Sequence, residues 1–149
     1  GLVVGGQTGA QAATIDHEKA TLVSKLARYV SWPAEVRQRN FVIGVYGDVE
    51  KYEYFTGFFE NKGVKGKDIS VRLVKTLNEA KGVNILYIPP LNQRSILRLA
   101  DKIIRDSDVL IITEDTRYRS NKMIDISYNK QKSKSVSNFS IRFCMLFQN

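Results

Sequence analysis

The feature that most constrains the fold is an alternation of short, almost unbroken apolar runs with longer amphipathic segments. "FVIGVY" (Phe41–Tyr46), "NILYI" (Asn84–Ile88) and "DVLIIT" (Asp108–Thr113) are short, β-branched and bounded by turn residues. That is the pattern of strands buried on both faces. "ISVRLVK" (Ile69–Lys75) alternates enough to lie nearer an edge. Between the runs the apolar period lengthens. Leu22, Val23, Leu26, Ala27 and Val30 make one helical stripe that ends at Trp32-Pro33, since proline ejects its predecessor from the helical region. Tyr52, Phe55, Phe58 and Phe59 do the same within 48–61, as do Ile96, Leu97, Leu99, Ala100, Ile103 and Ile104 within Asn92–Arg105. "NKGVKGKD" reads as a glycine-bearing turn, "LNEAK" as a short helix, and "MIDISY" and "FSIRFCMLF" as two closing strands. Strands alternating with helices predict an α/β fold: three layers, a mostly parallel sheet with helices on both faces, and last strands open to antiparallel pairing.

At 149 residues the chain is expected to form one domain over 14–149, with 1–13 a flexible tail or the remnant of an export signal. Thr14 or Asp16 is expected to cap the first helix, with Lys19, Lys25 and Arg28 away from its apolar stripe. No apolar run reaches the roughly 18–20 residues that span a bilayer. Lys plus Arg number 23 against 15 for Asp plus Glu, a net charge of +8. Such a surface favours acidic partners without naming one. The lone cysteine, Cys144, excludes an internal disulfide, and its apolar neighbours make it a small hydrophobe.

Chemistry is hard to find. "GGQTGA" precedes the first strand and lacks the Lys-Ser/Thr ending of a phosphate loop. His17, the sole histidine, has no nucleophile to serve and reads as a surface residue. The acids Asp48, Glu114 and Asp115 stand at strand ends, where α/β sheets bind ligands. The third strand, however, ends in Ile88-Pro89-Pro90, without the aspartate that a phosphoacceptor receiver needs. Arg94, Arg98, Lys102 and Arg105 form a basic stripe on the helix from Asn92, and Arg117 and Arg119 approach the same rim. The plain reading is a solvated helix face; the functional one is an anion or partner contact. No nucleic-acid recognition motif is present.

Four blocks then resemble the YfiR-like periplasmic proteins. "ATLVSKLARYVSWP" supplies Ala20, Leu26, Tyr29, Val30, Trp32 and Pro33 of the family's opening helix. "FVIGVYGD" is similar to its first strand with a Gly-Asp ending, "TLNEAKGVNILYI" to its next block, and "DVLIITEDTRYRSNKMIDI" to its Val-Leu…Met-Ile block. The resemblance covers about 18–142. Ser120-Asn121-Lys122 stands where members commonly carry a glycine pair, "FSIR" where the closing strand often reads "FEIN", and the cysteines that some members pair are absent.

The resemblance implies a periplasmic, non-catalytic regulatory domain. It implies a partner, the periplasmic part of a membrane-bound diguanylate cyclase held inactive to lower cyclic di-GMP and biofilm formation, and it makes a homodimer plausible. The alternative it leaves is a ligand-sensing extracytoplasmic domain of a histidine kinase or cyclase. An enzyme acting on anionic substrates is the third reading. Trp32 is expected first as a core plug and second, with Tyr29 three positions before it, as part of a partner groove. The candidate partner- or ligand-binding residues are Tyr29, Trp32, Asp48, Arg94, Arg98 and Arg117. No catalytic residue, metal, cofactor or nucleic acid is expected.

Overall fold

The computed structural model describes residues 2–30, 32, 40–76, 78–90, 109–114, 123–130 and 137–144. Among them, seven strands form one sheet in the order β2-β3-β1-β4-β5-β6-β7. The strands are β1 (Phe41–Tyr46), β2 (Gly63–Val64), β3 (Lys67–Val74), β4 (Ile85–Ile88), β5 (Leu110–Glu114), β6 (Met123–Lys130) and β7 (Ser137–Cys144). β3, β1, β4, β5 and β6 run parallel, while β2 and β7 pair antiparallel at the two edges. The expected α/β architecture with an antiparallel close is what forms. Strand order reverses between β1 and β4, so the carboxyl ends of these strands flank the position where such sheets place their sites.

Helix α1 runs Leu2–Tyr29 and α2 runs Val49–Phe59. A helix start near Thr14 was expected, yet the helix begins at Leu2. No proline interrupts 2–29, and three glycines at about 1 kcal/mol each do not by themselves stop a helix rich in Ala, Leu and Gln. Asp16 therefore lies inside the helix and is not its cap. Asp48 does cap α2: its carboxylate accepts from the Lys51 N–H at 3.0 Å. Asn61 (φ 63°) follows α2 in the left-handed region that Asn tolerates.

One face of the sheet meets both helices. Ala20, Val23 and Ala27 of α1 and Phe55 and Phe59 of α2 pack with Ile43, Val45, Ile85, Tyr87 and Ile112. The opposite face buries Val74, Leu86, Ile88 and Ile111 with Ala80 and Val83, where "LNEAK" supplies a 3-10 turn, Glu79–Gly82. Backbone fit is tight here. A Cβ on Gly44 would lie 2.7 Å from Val74 Cγ2 and 3.0 Å from Val83 Cγ1, so β1 needs glycine at that point. Asn84 locks the amino ends together. Its side-chain oxygen accepts from the Val42 N–H at 2.8 Å, its N–H donates to Val42, and its carbonyl accepts from Leu110.

The turn expected in "NKGVKGKD" is a small hairpin. Lys65 (φ 52°) and Gly66 (φ 81°) form the two-residue loop joining β2 to β3, and both positive angles suit the twist of paired strands. β3 starts at Lys67, earlier than Ile69, because this hairpin extends it. The helix expected over Asn92–Arg105, with its basic stripe, lies outside the described residues, as do Arg94, Arg98 and Arg117.

Candidate functional site

Glu114 closes β5 at the carboxyl edge of the sheet and is only 3% exposed. Alternation along the strand puts it on the same face as Leu110 and Ile112, the face that meets α1 and α2. An acid there has to be neutralised by its neighbours, because an unpaired buried carboxylate is very costly. Three elements supply the neighbours. Tyr87 of β4 donates its hydroxyl to Glu114 Oε1. Lys19 of α1 donates from Nζ to Oε2 at 2.8 Å. Lys51 of α2 brings its Nζ within 3.6 Å of Oε1 and donates to Asp16 Oδ1 at 2.5 Å. Asp16 and Lys19 lie three positions apart on α1, one above the other, which lets one helix hold both a carboxylate and an ammonium against the same partners.

Burial by itself would lower the Lys51 pKa. The hydrogen bond to Asp16 and the charges of Glu114, Asp16 and Asp48 outweigh it, so the ammonium is held above its ordinary range. Tyr54 shifts upward as well, through burial first and the charge of Asp16 second, with Lys51 opposing. Phe55 packs edge-on against the Tyr87 ring at 4.9 Å and shields the centre of the cluster from the apolar side.

Chemically this is a joint. Each ammonium already has a carboxylate, and the phenol and both Glu114 oxygens are engaged with each other or with lysine. Among the described residues no buried side-chain nitrogen or oxygen lacks a partner, and no three His, Cys, Asp or Glu side chains converge to hold a metal. The cluster ties α1 and α2 to β4 and β5 at the carboxyl end of the sheet.

Of the residues singled out in the sequence, Trp32 is 5% exposed; its indole N–H donates to Ala27 O at 3.1 Å, and its ring meets Phe41 edge-on at 5.2 Å. It plugs the core. Tyr29, at the last position of α1, is 82% exposed. The two do not share a face: the helix ends between them, and the chain turns Trp32 back under α1. Asp48 faces α2 as its cap and adds negative charge near Lys51. His17 is exposed with its ring against Phe58.

Lys19, Lys51, Asp16 and Tyr87 went unrecognised as a group. The available signal was Glu114, an acid terminating an apolar run in a chain with surplus lysine; which lysines turn inward is decided by tertiary packing. Lys19 was read only as lying away from the apolar stripe, and its ammonium pairs with Glu114.

A comparison with curated proteins returns no match. A family model described as YfiR/HmsC-like matches residues 17–138, from His17 within α1 to the start of β7. With most of its length matched in this way, the chain belongs to the YfiR/HmsC-like family.

Proposed function

We propose that this chain is a periplasmic, non-catalytic regulator that binds the periplasmic part of a membrane-bound diguanylate cyclase and holds it inactive, restraining cyclic di-GMP and biofilm formation. The observation that carries this reading is the family match over 17–138. Two physical features support it. The ionisable groups gathered at the carboxyl end of the sheet satisfy one another, which suits a part that acts by docking and shifting a partner's equilibrium. The +8 charge favours an acidic partner surface. No helix of the described residues is long and apolar enough to cross a membrane.

Tyr29, exposed at the end of α1, is a proposed contact, and Arg94, Arg98 and Arg117 are proposed as a further, basic one. Asp48 starts α2 and Trp32 fixes the end of α1. The test is capture of a diguanylate cyclase periplasmic segment by the purified chain, paired with cyclic di-GMP measured in cells that co-express both proteins. Binding with lowered cyclic di-GMP is the expected outcome, and Arg98→Glu should weaken capture without altering the unfolding curve. Absence of both capture and repression would refute the proposal. The rival reading, a sensing domain covalently part of a kinase or cyclase, predicts no capture of a separate cyclase.

A further inference from the structure

β2 shields only the start of β3, through Gly63 opposite Asp68 and Val64 opposite Lys67. Backbone hydrogen bonds then fix which way the rest of β3 faces. The Ile69 N–H donates outward to Lys62 O at 3.2 Å, whereas Val74 O accepts from the Gly47 N–H on the β1 side. The register with β1 is unbroken from Ile69 to Val74. Strand alternation therefore directs the N–H and C=O groups of Val71 and Leu73 away from β1. No described strand pairs with them.

The side chains along this edge have a pattern of their own. Val71 and Leu73 are half-buried on the face covered by α2, while Ser70 and Arg72 are exposed on the other. The edge and its hairpin carry Lys62, Lys65, Lys67, Arg72 and Lys75 against two acids, Asp68 and Glu79, the latter accepting from the Lys75 N–H at 3.2 Å. Lysine-rich edges repel strands of their own kind, and a second copy laid here would set cation against cation. An acidic strand meets the opposite situation.

We infer that the open edge of β3 receives an extended segment of the partner as an added strand, with acidic residues alternating with apolar ones. The backbone groups of Val71 and Leu73 supply the ladder, Val71 and Leu73 line the apolar side, and Arg72 with the flanking lysines selects the acidic side. This inference rests on the regulatory reading above and names the surface through which the partner is held.

The experiment measures affinity of the full chain for the periplasmic segment of a diguanylate cyclase, at low and high salt, beside sedimentation of the chain alone. Val71→Pro removes an outward N–H and leaves the β1 ladder untouched, the one strand setting in which proline is tolerated. It should weaken binding by about tenfold, the scale of one lost backbone hydrogen bond. The double variant Arg72→Glu/Lys75→Glu, at exposed positions, tests the charge without touching the backbone. It should weaken binding and flatten its dependence on salt. If the native chain binds and both variants bind equally well, the edge is not the docking surface while the regulatory reading stands. If the native chain does not bind, the regulatory reading fails and this inference with it. Self-association abolished by Val71→Pro would assign the edge to a second copy and overturn the acidic partner.

Discussion

Glu114 meets two ammonium groups and a phenol where little water reaches, so its removal strands several charges at once. Glu114→Ala should cost about 3–5 kcal/mol, the range for breaking a buried pair from one side. Glu114→Gln should cost less, because its amide oxygen can still accept from Tyr87 or Lys19. Urea unfolding of both variants decides this; an alanine variant as stable as the parent would mean that the cluster contributes nothing to holding α1. Lys51 gives the pH counterpart. Its pKa is raised in the fold, so its contribution is complete below the unfolded value and fades as pH climbs through the folded one. Stability should hold between about pH 8 and 9 and decline above the ordinary lysine value of 10.5, with a shallower decline in Lys51→Met. A small residue matters for the opposite reason. Gly44→Ala forces a methyl against two stiff, buried valines and should cost about 1–3 kcal/mol by thermal unfolding.

Helix α1 shows how much an element's sequence reveals about its role. Its stripe of Leu22, Val23, Leu26, Ala27 and Val30 was legible from spacing, with the buried Ala20 outside it, and its end at Tyr29, shortly before Trp32-Pro33, from proline geometry. Its partnership with Glu114 was not, because a lysine beside an apolar stripe ordinarily extends to water and only the neighbouring elements can turn it inward. Among the strands, β1, β4 and β5 announced themselves as apolar runs; β2, with two residues inside a glycine turn, is too short for any period to register. Asp48 and Glu114 were visible as acids at strand ends, whereas the lysine partners of Glu114 come from helices far off in sequence. The same helix separates two aromatics that looked alike on paper. Trp32→Ala should cost about 3–5 kcal/mol, since it empties a packed site and frees an indole-bonded carbonyl. Tyr29→Ala should stay within about 0.5 kcal/mol, as exposed positions do. Denaturation curves of the two variants would reverse this assignment if their order were inverted.

At the scale of the whole molecule, the sheet order concentrates burial at the centre and leaves attachment points at the rim. Every residue of β4 is buried, and it pairs with β1 on one side and β5 on the other. Among the described residues, no strand pairs with the outer side of β3 beyond Ile69. α1 meets this frame through side chains alone: Ala20, Val23 and Ala27 in the core, Leu22, Leu26 and Val30 packed beside them, and the links Lys19–Glu114 and Asp16–Lys51. Local opening should follow the same gradient. Amide exchange should be slowest in β1, β4 and β5, intermediate in α2 and faster along the outer edge of β3. In Glu114→Gln the amides of α1 between Asp16 and Tyr29 should speed up while those of β1 and β4 keep their protection. The reason is that losing one charged link loosens the helix without touching the strand ladder. Mass-spectrometric exchange on both proteins tests this directly. Equal acceleration in α1 and β4 would mean that the helix and the sheet open only together, and a regulator built that way would have no separately movable element to present to its partner.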